Sequence, residues 1–342
     1  MIKTRVTELL GIDTPILEGG MAIAGNGELA AAVSNGGGLG VVSSNPGWSK
    51  QSERTENVRQ HLRRAKALTD KPICANMSLQ LLGKYAEQHL DMVVEEGLKI
   101  VVTSGGSPGV LTQKAKDYGL IVMHVVANVC QARRSEDSGV DIVICEGYEA
   151  GGIEGADEIT SMVLIPSVVQ AVSIPVVGAG GFGRGNGLIA ALALGAEGIQ
   201  MGSAFLATKE CHVHQNFKQA IVEADDTGTV MIQRMIGRLS RVIKTPRALQ
   251  FQDMDKRGAV DEMETLMAAA PSDANIEKAP TMDAQWHGQM GGDMVEGEAA
   301  AGQSIAFVQE IKSASDVVRD IAAEAEARLD AIESGALRQP CG

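Results

Sequence analysis

The chain predicts an α/β fold, a TIM (β/α)8 barrel carrying a smaller, mainly helical inserted domain. Short β-branched runs alternate with helical patterns eight times between the N-terminus and residue 206, the signature of repeated βα units and a parallel sheet. Glycine and polar residues gather where each run ends, the face on which barrel enzymes build their sites. After Phe205 the pattern changes to longer helical segments.

The eight expected strands are Pro15–Leu17, Leu39–Val42, Pro72–Ala75, Ile100–Thr103, Ile121–Val126, Asp141–Cys145, Pro175–Gly178 and Gly198–Met201. Between them, helical spacing covers Asn26–Asn35, Thr55–Ala67, Gln88–Glu96, Gly109–Tyr118 and Ile165–Val172. These units define a barrel over residues 1–206. Residues 207–298 form an expected helical lid, with helices at His214–Ala224 and Ala248–Ala270 and a polar stretch holding Pro271, Pro280 and Gly288–Gly297. Residues 299–342 read as one or two helices packing back on the barrel through Ile305, Val308, Ile311, Val317, Val318, Ile321 and Leu329.

Composition narrows the function classes. Aromatics make up 3% of the chain and the net charge is −13, which opposes a base-stacking nucleic-acid surface. Residues 251–342 carry 18 acidic and 7 basic side chains, so most of that charge lies in the C-terminal region and reads as a solvated helical surface. No uninterrupted apolar run of about 18 residues occurs, and the start lacks a long apolar core, so a cytoplasmic protein off the membrane is expected. The five cysteines are widely spaced and odd in number, which favours reduced thiols. A homodimer is compatible with the chain.

The stretch Pro175–Ser203 is the most informative. Two strand ends one helix apart open into Ala179-Gly180-Gly181 and Gly202-Ser203. Loops after barrel strands 7 and 8 habitually hold a phosphate by backbone N–H groups, and glycine lets the backbone approach it. Asn76 ends an apolar strand, where its amide either caps a turn or reads the edge of a heterocycle. Glu18–Ala22 either turns the chain or lays backbone against a flat ring. Glu146-Gly-Tyr-Glu-Ala-Gly-Gly152 follows strand 6 and can cover a ligand, with Glu146 inside the site and Glu149 on the surface. His124 either packs in the core or points from strand 5 at a ligand. In Cys211-His-Val-His214 residues i and i+2 do not share a helix face, and no distant His, Asp or Glu partner with convincing spacing appears, so no metal is expected.

Taken together, these motifs resemble the nitronate monooxygenase family (2-nitropropane dioxygenases) and its relative, the flavin-dependent enoyl-acyl-carrier-protein reductase. Matching stretches are Pro15–Met21, Ala30–Gly40, Glu146–Gly152, Gly178–Gly181, Gln200–Ser203, Phe205–Cys211 and Gly297–Gln303, nearly end to end. The resemblance implies an FMN-dependent barrel with a lid. Met21, Ala22, Asn76, Glu146, Gly151, Gly152, Gly180, Gly181, Gly202 and Ser203 would hold the FMN, with Gln303 near the substrate at the pocket rim. In the family the glycine pair of the strand-6 loop is followed by a histidine taken as the catalytic acid or base. Here Ile153 follows Gly151-Gly152. His124 and Glu154 are the nearest substitutes as catalytic residues, Glu154 reading more readily as a surface residue.

The resemblance therefore implies an FMN oxidoreductase that oxidises alkyl nitronates with O2 to a carbonyl compound and nitrite. A nitronate is already an anion and needs no deprotonation, so loss of the histidine affects neutral nitroalkanes more. The alternatives are an NAD(P)H-dependent flavin reductase of enoyl thioesters or quinones, and a flavin-binding protein with weak turnover because of Ile153.

Overall fold

In the computed structural model, which describes residues 2–268 and 280–335, eight parallel strands stand side by side in a sheet that rolls into a barrel. In chain order the strands are β1 (Ile16–Glu18), β2 (Gly40–Val42), β3 (Ile73–Ser78), β4 (Ile100–Ser104), β5 (Ile121–Val126), β6 (Ile142–Glu146), β7 (Gly152–Ile153), β8 (Val176–Ala179), β9 (Ile199–Met201), β10 (Thr229–Ile232) and β11 (Ser240–Ile243). The barrel order is β1-β9-β8-β6-β5-β4-β3-β2, and a parallel bridge between Leu17 and Leu39 brings β1 back to β2.

Several barrel strands begin one residue later than expected because a proline has no N–H to give to a ladder. Pro15 and Pro175 still accept, from Ile199 N (2.9 Å) and Val143 N (3.1 Å).

Two apolar clusters meet at the sheet. Leu17, Leu39, Val41, Cys74, Ile100, Val102, Met123, Ile142, Ile144, Val177 and Ala179 fill the barrel, with Val6, Leu10 and Ile12 beneath them. The helix Arg5–Leu10 that supplies the first two is fixed by a Thr4 capping box and ends at left-handed Gly11. Alternate strand residues, such as Val101, Val122, Val126 and Val143, face the surrounding helices. This two-sided burial is what parallel strands require.

Beyond β1 and β2 the backbone pairing stops, and Glu18 completes the closure with its side chain. Its Oε2 accepts from Val41 N at 2.9 Å, where a ladder would have used a carbonyl. The residue is fully buried, its Oε1 has no partner among the described residues, and desolvation raises its carboxyl well above the usual range.

The lid is mainly helical, as expected, and adds strands that the sequence reading did not foresee. β10 and β11 form an antiparallel hairpin, and β7, which belongs to the strand-6 loop, pairs with β11 as a third strand. Val230, Ile232 and Val242 point to one side, against Ala248, Phe251 and Met263. The strands are only four residues each, too short for their alternation to stand out. The helix expected over Ala248–Ala270 is two, Pro246–Arg257 and Val260–Ala268, broken at left-handed Gly258 (φ 69°). The end of that expected helix and Pro271 lie outside the described residues. Helix Pro280–Gln289 forms within the stretch read as polar.

The chain then returns to the barrel. Ala300 bridges to Val242, and the helix Ala314–Glu333 lies on helices Gly27–Asn35 and Gly185–Ala193. A Cβ on Gly185 would sit 2.3 Å from Ala325 N, so this packing needs glycine there. No helix among the described residues is long and apolar enough to cross a membrane.

Candidate active site

The C-terminal ends of the barrel strands place four backbone loops and three side chains around one mouth. The first loop follows β1. Gly19 N donates to Met201 O (2.8 Å), Met21 N donates to Ser43 Oγ (2.8 Å), and Ala22 adopts the left-handed region at φ 45°. Gly20 lies flat against Asn76, since a Cβ there would be 2.4 Å from the amide carbon. Asn76 is 3% exposed within β3, inside a strand rather than at a turn. Ser44 Oγ donates to its Oδ1 at 2.8 Å, while its Nδ2 has only long contacts, 3.4 Å to Ser104 Oγ and 3.5 Å to Val102 O. The amide is thus oriented at its oxygen and keeps donor capacity at its nitrogen.

Opposite, Gly180 (φ 88°) and Gly181 (φ 81°) turn the chain after β8. Gly202 and Ser203 follow β9. Among the described residues no loop or turn carbonyl takes the N–H groups of Gly181, Gly202 or Ser203, while Gly180 N stands at the next rung of the β8–β9 ladder. Ser203 Oγ accepts from Gly302 N at 2.9 Å, which leaves its O–H to donate. A Cβ on Gly151 would fall 2.4 Å from the Ala301–Gly302 peptide, and Gln303 N donates to Glu149 O (2.9 Å). The segment returning from the lid is therefore pinned to both the strand-6 loop and the strand-9 end, with Gln303 exposed beside them. N–H donors on two glycine turns suit a phosphate, and Asn76 with the flat Gly20 backbone suits a heterocyclic ring. The residues present fit an FMN.

The strand-6 loop departs from two expectations. Glu149 is not a free surface carboxylate: it accepts from Ser161 N (2.9 Å) and Ser161 Oγ (3.1 Å), capping helix Ser161–Ala171. Glu154 is not a surface residue either, being 7% exposed. Residues 153 and 154 point to opposite sides of β7, so Ile153 is the exposed one, at 55%. Among the described residues neither carboxyl oxygen of Glu154 has a hydrogen-bond partner. Desolvation holds Glu146 and Glu154 above the usual carboxylate range, and the charge of Glu146 drives Glu154 further.

His124 takes the core alternative and does not reach the mouth. It shares a strand face with Val122 and Val126, which pack on the helices, whereas Met123 points into the barrel. Its Nδ1 lies 2.7 Å from Thr103 Oγ1, and burial pushes it down to about 4. His214 caps its own helix by accepting from Asn216 N (3.1 Å).

Two neighbours escaped sequence reasoning. Ser44 sits in the polar cluster after β2, a visible signal, but its bond to Asn76 depends on the β2–β3 register. Arg241, 3% exposed, stacks over the Tyr148 ring at 4.8 Å and donates to Tyr148 O through Nη2 (2.9 Å) and Nε (3.2 Å). It belongs to the unforeseen hairpin, so nothing local pointed to it.

The family model for nitronate monooxygenase matches residues 3–84 and 79–324. The (3aS,4S,5R,7aS)-5-hydroxy-7a-methyl-1-oxo-octahydro-1H-indene-4-carboxyl-CoA dehydrogenase of Rhodococcus jostii is 29% identical over 367 residues, covering 98% of this chain and 99% of its own. A probable nitronate monooxygenase of Staphylococcus saprophyticus is 32% identical, covering 74% and 82%. Among solved structures, FabK from Thermotoga maritima superposes with a TM-score of 0.85 at 35% identity, covering 98% and 99%. With its strand-end glycines, barrel closure and returning lid segment matched over almost its whole length, the chain is an oxidoreductase and belongs to the nitronate monooxygenase family.

Proposed function

We propose that the protein binds FMN in the barrel mouth and oxidises alkyl nitronates with O2 to a carbonyl compound and nitrite. The observation that carries the cofactor is the pair of glycine turns, Gly180-Gly181 and Gly202-Ser203, in which the N–H groups of Gly181, Gly202 and Ser203 go to no loop carbonyl among the described residues. In this reading Gly180, Gly181, Gly202 and Ser203 hold the phosphate. Met21, Ala22 and Asn76 hold the ring, and Glu146, Gly151 and Gly152 close the strand-6 side. The chemistry FMN supplies when bound is two-electron transfer. The chain's residues orient the substrate: Gln303 stands at the rim, and Ile153 places an apolar side chain where the family has histidine. A nitronate tolerates that exchange, because no proton has to leave carbon first.

Aerobic nitrite release from propionate 3-nitronate or ethylnitronate by the purified protein is the direct check. Release well above that of free FMN is expected, and release equal to free FMN would contradict the reading. Ser44→Ala bears on the cofactor rather than on the reaction, and it also removes the acceptor of Ser78 N (2.8 Å). Without the hydroxyl that orients Asn76, FMN affinity is expected to fall roughly five- to tenfold, about 1–1.4 kcal/mol, measured by fluorescence titration.

The similarity to FabK and to a carboxyl-CoA dehydrogenase favours a second reading, an NAD(P)H-dependent flavin reductase of enoyl thioesters or quinones. Reduction of the bound flavin by NADH or NADPH but not by nitronate would select it.

A further inference from the structure

The strand-6 loop runs from the end of β6 to helix Ser161–Ala171 and is tied at each stage to a different neighbour. Glu149 caps that helix and its carbonyl takes Gln303 N, so the first turn is fixed by the barrel and by the returning segment. Gly152 and Ile153 pair instead with Arg241 and Ser240 of the lid hairpin, and Glu154 N donates to Leu239 O at 2.9 Å. A strand of two residues is too short to hold itself. Gly152 brings no side chain to pack, and its Cβ position faces open space.

Arg241 supplies the missing hold. Its buried side chain crosses from β11 to the loop and places two donors on one carbonyl, Nη2 at 2.9 Å and Nε at 3.2 Å from Tyr148 O. The guanidinium lies over the Tyr148 ring at 4.8 Å. Nη1 donates to Thr229 Oγ1 of β10 at 3.2 Å, which fixes the direction of the fork. The backbone of the same residue pairs with Gly152. One arginine thus spans both arms of the loop, Tyr148 on the way out and Gly152 on the way back. Charge-assisted bonds of this kind are the strong ones, and lysine cannot reproduce the fork. A second tie, between Arg234 and Glu158 (Nη2 to Oε2, 2.9 Å), faces solvent and contributes little.

We propose that Arg241 is a positioning residue that locks the strand-6 loop closed, and with it Gly151, Gly152 and Ile153, the wall that the substrate meets. Its donors go to Tyr148 and Thr229, so it acts through the loop and not on the reacting atoms. In a released loop only the closed fraction binds substrate. The apparent KM then rises by the inverse of that fraction, while saturating substrate refills the closed state and kcat holds. The lock stands on the contacts above; its use in turnover rests on the flavin reading.

Hydrogen exchange of the purified protein, followed by mass spectrometry, tests the lock. Arg241→Met keeps an apolar stem and removes every donor, whereas Arg241→Lys keeps the charge and a single donor group. Peptides covering residues 148–159 should lose protection roughly thirtyfold in Arg241→Met, the consequence of losing bonds from a charged group. They should regain part of it in Arg241→Lys, with β10 and β11 still protected in both variants. Arg234→Gln should change the same peptides by less than about threefold. Loop peptides as protected in Arg241→Met as in the wild type overturn the lock. So does loss of the hairpin together with the loop in both variants, because Arg241 would then hold up the lid and not the loop.

Steady-state kinetics with whichever donor reduces the flavin tests its use. KM should rise at least roughly fivefold in Arg241→Met and fall back in Arg241→Lys, with kcat within about twofold of the wild type. A KM unchanged while the loop exchanges freely would overturn the use in turnover, and so would a loss confined to kcat. A protein that no donor reduces defeats the flavin reading instead, while the exchange arm still decides the lock.

Discussion

Gly180→Ala is expected to give a folded protein that no longer retains FMN. Two effects act together at this turn. Gly180 has φ 88°, where a side chain is strained by about 1–3 kcal/mol. An added Cβ would also stand 2.6 Å from Gly147 O and 3.2 Å from Ala150 N, backbone atoms that cannot swing aside. The loop must shift, and with it the N–H groups of Gly180 and Gly181. Several charge-assisted hydrogen bonds to a phosphate are at stake, so binding should weaken roughly 100-fold or more, about 2.7 kcal/mol. Gly119→Ala is the control. Gly119 has a similar φ of 72° with nothing within 4 Å of its Cβ position, so it meets the strain without touching the mouth and should keep FMN. Equal FMN affinity for Gly180→Ala and the wild type would remove the phosphate from this turn.

Glu18→Ala is expected to cost about 3–5 kcal/mol of stability in urea unfolding. The substitution strips Val41 N of its acceptor at the seam of the barrel and leaves a cavity in a fully buried site, and both terms are large. Glu18→Gln keeps an acceptor and nearly the same shape, so it should lose far less. The pH dependence has a definite sign. The folded carboxyl binds its proton more tightly than the unfolded one, so wild-type stability falls as pH rises from the ordinary glutamate range toward the raised folded value. Glu18→Gln has no proton to lose there and should show a flatter decline. A Glu18→Ala midpoint indistinguishable from the wild type would mean that the seam does not depend on this residue.

The barrel was legible in the sequence because parallel strands are short, β-branched and closed by glycines, and because prolines mark where several begin. Both glycine turns proposed to hold the phosphate, Gly180-Gly181 and Gly202-Ser203, were visible as turns for the same reason. The facing of His124 was not. β5 is apolar on both sides, so Val122-His124-Val126 and Ile121-Met123-Val125 could each have been the inward set, and only the packed helices decide between them. Glu154 was misread because its burial comes from β7 joining β11, a pairing between segments far apart in the chain. Its neighbours Arg241 and Leu239, whose carbonyl takes Glu154 N at 2.9 Å, lie in the hairpin that the helical pattern concealed. The local rules were sound where the contacts are local, and they ran out where the lid folds onto the mouth.

Anaerobic mixing of the FMN-loaded protein with ethylnitronate, and in parallel with NADH and NADPH, tests the proposed function most directly. Bleaching of the flavin absorbance by the nitronate, restored by admitting O2, is the predicted result. Bleaching by a nicotinamide alone would move the protein to the thioester or quinone reductases, and a flavin that none of the three reduces would contradict both proposed activities.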